Sequence, residues 1–394
     1  MIRKVTISAV IPILCAAVAG ASAQQLPNLR TDRFHWENDI GASDRHYTNG
    51  MRYSTVTSST ELWRRRTGHP ILKTLLLGAR ACDRFETPED GCYYMRTGWA
   101  VGQNFYTPEE ITRADPDPND RPYGGWLYYG RLFEFTGERL AFEAEFDGGI
   151  IGPLSLSSAV QEGWHNLFGW DHPAGWDHQI ARGFGLQAMY RASYELLGLR
   201  LDGDDAAGRG SANLSLAPST QVVLGAPITR GNVGAMLRIG RGVPVALVPR
   251  IPAAAPPPFS AGEGMEAPAV LASAPPPPAP TALELRQEAA VKRLAAERPR
   301  HASERPAYVF VGGAVNGVLL NDFMQGTHLG ARDDNPLIDI EMNRSFMEWE
   351  AGATVALPPI PVIGAADISV RRVWRGAEFH GGPEHRFWAL SIAW

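Results

Sequence analysis

Polar residues of the types that bind ligands or transfer protons are concentrated near the start of the chain. The segment ENDIGASDRHYTNGMRYS, residues 37–54, contains five charged side chains, one His, two Asn and two Gly. It follows FHW and leads into YSTV, whose aromatic and β-branched residues are typical of strands. So much hydrogen-bonding chemistry at the junction of two strands indicates either a plain turn or one half of a site.

A second candidate is His165, because His transfers protons near neutral pH more readily than other side chains. Ser158 and Gln161 have the spacing of a capping box, so SAVQEGWHNLFG is predicted to form a short helix capped by Ser158. Gln161 and His165 would then lie about one turn apart on one face. Taken alone, such a His is more often structural than catalytic. A serine nucleophile among Ser155, Ser157 and Ser158 ranks below activated water, since the chain has no G-x-S-x-G elbow.

The first residues indicate export. MIRKV carries two cations, ISAVIPILCAAVAG is apolar, and Ala21-Ser22-Ala23 forms a cleavage signal, so residues 1–23 are predicted to be a signal peptide. In an oxidising compartment, Cys82 and Cys92 are predicted to form a disulfide. The formal net charge of −5 provides no basic surface, which argues against binding to nucleic acid.

The exported chain has the alternating pattern of strands. In residues 140–147 apolar side chains alternate with Glu143, Glu145 and Asp147, which puts three carboxylates on one face. The last residues, FWALSIAW, alternate in the same way and end on an aromatic residue, as in chains delivered to the outer membrane. A soluble sandwich could also bury such apolar faces, but their aromatic flanks favour lipid. No segment after the signal peptide approaches the roughly 18 apolar residues of a spanning helix.

We therefore predict an all-β fold, a transmembrane antiparallel β-barrel of about 12 strands within residues 24–394, with a short helix in an extracellular loop. The predicted strands lie near residues 31–40, 50–59, 93–105, 122–136, 139–150, 179–197, 212–225, 231–241, 306–321, 343–357, 365–378 and 386–394. With the amino terminus in the periplasm, the polar loop after the first strand and the helix both fall on the extracellular side.

Residues 243–305 are predicted to interrupt the barrel. This insertion is rich in Pro and Ala, which favours extended and unpacked chain. It continues into TALELRQEAAVKRLAAERPRH, a good helix former. By strand parity the insertion lies in the periplasm, where a passive spacer is the simplest interpretation and contact with a periplasmic partner the alternative.

The chain resembles the outer-membrane lipid A 3-O-deacylases, small barrels that remove an ester-linked acyl chain from lipopolysaccharide. Four motifs in the same order carry the resemblance: Glu37-Asn38-Asp39; DRHYTNG at 44–50; DRPYGGW at 120–126; and Gly152-Pro153 followed by Gln161, His165 and WDHQ at 176–179. The resemblance implies a monomeric enzyme that hydrolyses an ester-linked 3'-acyl chain of lipid A in the outer leaflet of the bacterial outer membrane.

Residue by residue, the resemblance implies that His165 is the base that activates water, and that Asn38, Thr48 and Gln161 are further catalytic residues. Asp39 matches a ligand of an activating Ca²⁺, a hard cation that prefers oxygen. Ester hydrolysis needs both a base and electrophilic help for the carbonyl oxygen. In a regular strand Asn38 and Asp39 point to opposite faces, so both can serve one site only if the strand ends or bulges there.

Other polar residues in these motifs have two interpretations each. Glu37 or Asp44 could add calcium ligands, or Asp44 could form a structural ion pair with Arg45. The family carries a lysine in the second outer loop, for which Arg113 is the nearest cation in this chain. In DRPYGGWLYYG, we predict that the Asp and Arg pair at a loop end and that the aromatic residues join a membrane-interface girdle.

Two other functions are compatible with a barrel. One is a passive pore, whose inner carboxylates set its selectivity. The other is an inactive family member that serves as an anchor through its periplasmic insertion, and the absent lysine favours it. Asn38, Asp39, Thr48 and His165 occur together, which argues against a decayed site.

Overall fold

The computed structural model describes residues 30–39, 46–58, 94–136, 140–201, 212–243, 306–330, 340–361 and 364–394. Within these ranges no helix is both long and apolar enough to cross a membrane. The predicted signal peptide, the Cys82–Cys92 disulfide, Asp44 and the insertion from residue 244 to residue 305 lie outside the described residues.

The described chain is built of antiparallel strands. Their bounds are β1 Arg30–Asn38, β2 His46–Ser58, β3 Tyr94–Thr107, β4 Gly124–Thr136, β5 Leu140–Ile151, β6 Gly183–Tyr194, β7 Leu197–Leu201, β8 Ala212–Ala226, β9 Ile228–Arg241, β10 Ala307–Asn321, β11 Ser345–Ile360, β12 Gly364–Arg375 and β13 His385–Ala393. Helix α1 spans Ser157–Phe168 between β5 and β6, and a single turn, α2, spans Asp322–Gln325 after β10.

The sheet closes into a barrel. Apart from β6 and β7, strands that are neighbours in sequence pair with each other, β1 pairs with β13, and both β6 and β7 pair with β8. Because β6 and β7 occupy successive lengths of β8, they act as one interrupted strand, and the barrel is a closed one of 12 strands. The prediction of an antiparallel barrel with an outer-loop helix is therefore confirmed. Strand pairing around the full circle supplies the backbone hydrogen bonds that lipid cannot.

The alternation of faces is also confirmed. Glu143, Glu145 and Asp147 are buried inside the barrel, while Phe142 and Phe146 on the other face are partly exposed. Along β13, Trp388 is exposed on the outer face and Phe387 is buried inside. The outer face is the one that meets lipid, as the period-two pattern predicts.

Buried arginines form ion pairs with six inward glutamates of the described strands. Arg371 bridges two of them, donating from Nη2 to Glu37 at 2.6 Å and from Nη1 to Glu350 at 3.2 Å. The other inward pairs are Arg33–Glu134, Arg96–Glu134, Arg52–Glu145, Arg191–Glu143 and Arg375–Glu348. A buried charge is tolerated when it is paired and hydrogen-bonded, so these pairs fill the barrel interior. Glu37 is thereby committed to the interior, and the suggestion that it adds a calcium ligand is not supported.

The end of the barrel that holds Asn38 and α1, here called the site end, is filled by an apolar cluster. Its members come from strands on both sides of the barrel, from α2 and from the loop before β6: Tyr47, Tyr106, Trp126, Tyr128, Ile151, Ile180, Phe323, Val373 and Phe387. Arg121 adds a bridge to Glu378 at 3.0 Å. The opposite end holds both chain termini of the barrel, where Asp32 and Trp394 exchange backbone hydrogen bonds.

The charge bridge at Arg371 provides a stability prediction. Arg371→Met leaves two buried carboxylates without their shared cation, so we expect a loss of about 3–5 kcal/mol in the free energy of unfolding. The free energy of unfolding is measured by denaturant titration in detergent micelles. The folded fraction is read from the heat-dependent gel mobility of the barrel. Arg344→Met, at an exposed position, is the control and should change stability by less than about 0.5 kcal/mol. Equal effects of the two changes would contradict the proposed role of the bridge.

Candidate functional site

The first half of the site forms where β1 ends. β1 stops at Asn38, so Asp39 is released from strand alternation, as the sequence requires if both residues are to serve one site. The Asn38 Nδ2 donates to the Thr48 carbonyl oxygen at 3.1 Å. The register of β2 against β3 shifts between Tyr47 and Asn49, which is a bulge at Thr48. The end of β1 and the bulge in β2 together allow Asn38, Asp39 and Thr48 to lie on the same part of the barrel wall.

These residues lie on the outer wall of the barrel. Asn38 pairs with Asn49, Asn49 with Phe105, and Phe105 with Gly125, which defines one row across β1 to β4. Strand alternation places this row opposite to Arg52, which points inward to Glu145. Thr48 hydrogen-bonds through its hydroxyl to the Thr107 hydroxyl at 2.5 Å. The first half of the site therefore faces outward, away from the ion pairs of the interior.

Helix α1 covers this outer wall and supplies the second half. The Gln103 Nε2 on β3 donates to the Ser155 carbonyl at 2.7 Å, and a methyl group on Gly125 of β4 would overlap the hydroxyls of Ser155 and Ser157. The glycine therefore permits the close approach of the loop to the wall. The buried face of α1 consists of Ser157, Gln161 and His165, spaced by one turn each.

The helix start differs from the capping-box prediction. Leu156, in the left-handed conformation with φ of 60°, is the N-cap, and no side chain caps the helix. Ser158 lies inside α1, and the Gln161 side chain bonds elsewhere. The capping box was wrong because the preceding 3-10 turn, Gly152–Ser155, packs against the wall and sets the helix start itself. The predicted sharing of one face by Gln161 and His165 is confirmed.

Trp176 orients Gln161. The Trp176 Nε1 donates to the Gln161 Oε1 at 2.8 Å, and the Gln161 Nε2 has no hydrogen-bond partner among the described residues although it is buried. The Trp176 ring packs against Phe105 at 6.4 Å and Tyr123 at 4.8 Å between centroids. Since the indole can only donate, the amide oxygen is held toward it and the amide NH₂ is directed away, ready to donate to a ligand.

His165 is held by the turn that follows α1. Its Nδ1 hydrogen-bonds to the backbone carbonyl of Asp171, and its ring meets Trp170 edge to face at 5.5 Å. A carbonyl can only accept, so Nδ1 must carry the proton in this bond. The neutral imidazole then has a lone pair on Nε2, which is the tautomer that a general base needs.

The buried face of α1 packs on the outer wall over β4 and β3. Ser157 lies over Gly125 of β4, and Gln161 reaches β3 through Trp176 and Phe105. His165 lies one further turn of about 6 Å along the same face of α1. The two predicted halves therefore lie on the same outer wall of the barrel. Ser157 is about 12 Å along the helix from His165, too far to be its nucleophile.

Oxygen ligands suitable for a hard cation are present on this wall. The Asn49 Oδ1 is buried and accepts no hydrogen bond from the described residues, and the Asp39 carboxylate lies at the adjacent end of β1. Asp39 also interacts electrostatically with Arg372 of β12. The described residues contain no group of three His, Cys, Asp or Glu that could hold a metal. Carboxylate, amide and hydroxyl oxygens fit calcium rather than a soft metal.

The second outer loop, residues 108–123, packs against the turn after α1. Arg113 forms an exposed ion pair with Asp117 at 3.7 Å. Asp120 accepts hydrogen bonds from the backbone of Glu109 and Arg121, and burial raises the pKa of its carboxyl. The predicted Asp120–Arg121 side-chain pair is wrong, because the Arg121 guanidinium turns to Glu378.

The girdle prediction for DRPYGGWLYYG holds for one residue of four. Tyr129 is exposed on the outer wall, but Trp126 and Tyr128 point into the apolar cluster of the site end. Tyr123 is buried beneath the outer loops, where its hydroxyl donates to the Ile111 carbonyl at 3.0 Å. Sequence reasoning also missed Asn49, a neighbour of Thr48 in a quoted motif. No pattern along the chain could show the pairing of Trp176 with Gln161.

Comparisons with known proteins give one family. The family model described as Outer membrane protein LpxR matches residues 7–394. The structure of LpxR from Salmonella typhimurium is similar at a TM-score of 0.57 and 16% identity, covering 92% of this chain and 99% of that one. CdiB from Escherichia coli matches at a TM-score of 0.25 and 7% identity, covering 95% of this chain and 64% of that one, and carries no argument. No curated protein sequence matches the chain.

The packing of α1 on the wall generates a prediction. Gly125→Ala places a methyl group against the Ser155 and Ser157 hydroxyls, so α1 must move away from β4. We expect faster amide hydrogen exchange across residues 157–168 with the barrel strands unchanged. Gly148→Ala is the control, because its methyl group would meet Leu186 at an ordinary 3.5 Å. Unchanged exchange in the Gly125 variant would show that α1 does not depend on this contact.

Proposed function

The chain belongs to the LpxR family of outer-membrane proteins, and we propose that it hydrolyses an ester-linked 3'-acyl chain of lipid A in the outer leaflet. The observation that carries the proposal is the position of His165 and its hydrogen bond through Nδ1. A buried imidazole, fixed by the Asp171 carbonyl, lies on a helix that covers the outer wall, the face that meets lipid. A base held there lies on the lipid-facing side of the barrel wall, separate from the barrel interior.

The chemistry of the proposed reaction follows from three side chains. The Nε2 of His165 removes a proton from water as the water oxygen attacks the ester carbonyl carbon. The Gln161 NH₂ donates to the carbonyl oxygen as that oxygen gains negative charge, and Trp176 keeps the amide in the orientation for this. The protonated His165 then gives its proton to the departing sugar oxygen as the carbon–oxygen bond breaks. The products are a free fatty acid and a sugar hydroxyl.

Asn38 and Thr48 contribute by shaping the opposite side of the site. The Asn38 amide holds the bulge through the Thr48 carbonyl, and Thr107 fixes the Thr48 hydroxyl. In the proposal the Thr48 hydroxyl and the Asn49 amide present hydrogen-bonding groups to the polar part of the lipid. Arg113 pairs with Asp117, so the property that it shares with the family's loop lysine is that of an exposed cation in the loop.

Calcium fits the oxygen-rich end of β1. Asp39 would hold it, with the amide oxygens of Asn38 and Asn49 as further ligands, since the Asn49 oxygen is buried without a described partner. When bound, a calcium ion polarises an ester or phosphate oxygen as a Lewis acid. The small number of carboxylates on this wall suits a cation whose remaining ligands come from substrate and water.

The passive-pore alternative has less support. The apolar cluster fills the barrel interior at the site end, and most of the carboxylates that would set selectivity, namely Glu143, Glu145, Glu348 and Glu350, are bound by arginines. The inactive-anchor alternative is opposed by the intact surroundings of His165, because the Asp171 bond, the Gln161–Trp176 pair and the Thr48–Thr107 pair are all formed.

The base assignment is tested on the purified protein with lipid A in detergent micelles. His165→Ala should lower the rate of acyl-chain loss by about 10²–10⁴-fold, the usual contribution of a general base. Mass spectrometry of the lipid measures the loss. His172→Ala, at an exposed His of the same loop, is the control and should retain activity. Full activity of the His165 variant would refute the proposed base, and no product from the unmodified protein would refute lipid A as substrate.

The calcium assignment is tested separately. Chelation should abolish hydrolysis, and Asp39→Asn should raise the calcium concentration for half-maximal rate at least tenfold, because one ligand charge is lost. A calcium titration of initial rates measures both effects. Asp177→Asn, an exposed carboxylate in the 3-10 turn at Trp176–His178, serves as control and should titrate as the unmodified protein does. Activity that persists in chelator would rule out the metal.

A further inference from the structure

Exposed apolar residues, here called the ridge, lie at the two ends of α1 and in its flanking turns. It consists of Leu154, Leu156, Leu167, Phe168 and Trp170, and each of these side chains is about half exposed. Phe168 stacks on Trp164 at 5.5 Å and on Trp170 at 5.0 Å between ring centroids. The aromatic part of the ridge, at the carboxy-terminal end of α1, is thus an ordered exposed surface.

Leu156 has a backbone conformation that is unfavourable for leucine. Its φ of 60° makes it the one non-glycine residue with positive φ in the described part of the chain, and its side chain is 58% exposed. Leu is also a poor N-cap residue, a position that favours Ser, Asn, Asp or Gly. A strained, exposed Leu contacts little of the protein that could offset its cost, which indicates a contact outside the polypeptide.

The surroundings of the ridge indicate lipid as that contact. Residues 153–170 contain a single Asp, Glu, Lys or Arg, which is Glu162. The outer wall beside the loop is also apolar and exposed, at Tyr129 on β4 and at Phe184 and Leu186 on β6. This wall is the lipid-facing surface of an outer-membrane barrel, and the ridge extends it. Trp and Phe side chains are typical of the membrane interface.

The ridge is connected to the proposed base. Trp170 is 45% exposed on the ridge, and the same ring packs edge to face against the imidazole of His165. The turn that contains Trp170 also holds Asp171, whose carbonyl fixes His165. A contact that orders Trp170 would therefore also order the proposed base.

We propose that this ridge docks into the acyl chains of the outer leaflet and holds α1 in the membrane interface. Docking places the buried face of α1 at the depth of lipid esters and orders the Trp170–Asp171 turn. The ordering of the Trp170–Asp171 turn matters for catalysis only if His165 is the proposed base, so this consequence rests on the proposed function. The docking itself rests on the ridge and the lipid-facing wall.

Docking is measured by quenching of tryptophan fluorescence in proteoliposomes made of phosphatidylcholine with brominated acyl chains. The difference between the unmodified protein and Trp170→Phe isolates the signal of Trp170. We expect this signal to be quenched by brominated lipid, and to lose at least half of that quenching when Leu156→Gly or Leu167→Asn is added. Asn166→Ala, at an exposed polar neighbour on α1, is the control and should leave the quenching unchanged.

Thermal unfolding in detergent separates docking from folding. Leu156→Gly removes the strained conformation, so its melting temperature should equal or exceed that of the unmodified protein while quenching falls. Hydrolysis of lipid A in liposomes by the Leu156→Gly variant should fall at least fivefold, while its hydrolysis of lipid A in detergent micelles is retained. A Trp170 signal that brominated lipid does not quench, or ridge variants quenched like the unmodified protein, would overturn the docking proposal. If no protein hydrolyses lipid A but quenching behaves as expected, the proposed function fails and the docking surface stands.

Discussion

The requirement that every backbone polar group be hydrogen-bonded within the bilayer governs this structure. It forces the strands to close, through the pairing of both β6 and β7 with β8, and closure divides the chain into an inner and an outer surface. The inner surface carries the charges, which must be paired because they are buried, as at Arg371. With the interior occupied in this way, a site that meets lipid forms on the outer wall, where a loop helix can cover it.

The outer site depends on departures from regular strands. Asn38 and Asp39 can act together because β1 ends between them, and Thr48 joins them because β2 bulges. On the opposite side, the direction of each hydrogen bond fixes an orientation. The Asp171 carbonyl makes Nδ1 of His165 the proton carrier, and the Trp176 indole turns the Gln161 oxygen toward itself. In the proposed reaction, proton transfer and charge stabilisation are therefore prepared before a substrate arrives, which is the arrangement that lowers a barrier most effectively.

Much of this arrangement could be predicted from the sequence. The alternation of apolar and polar residues predicts the strands and the inward face of Glu143 and Glu145, because alternation is a local property of the backbone. The helical spacing of Gln161 and His165 predicts their common face for the same reason. The helix cap at Leu156 and the burial of Tyr123 and Trp126 could not be predicted, because they are decided by contacts between segments distant in sequence. Phe105, outward by alternation, is buried because the Trp176 turn covers it.

The central claim is that lipid A approaches the outer wall beneath α1 and not the barrel interior. A photo-crosslinking amino acid at Val160, on α1 near the Phe105–Trp176 cluster, tests the outer route, and one at Ser219, which lines a cavity inside the barrel, tests the inner route. The crosslinks are read by mass spectrometry in outer-membrane vesicles. The account predicts lipid A attached at position 160 and none at position 219. Attachment at position 219 without attachment at 160 would contradict it.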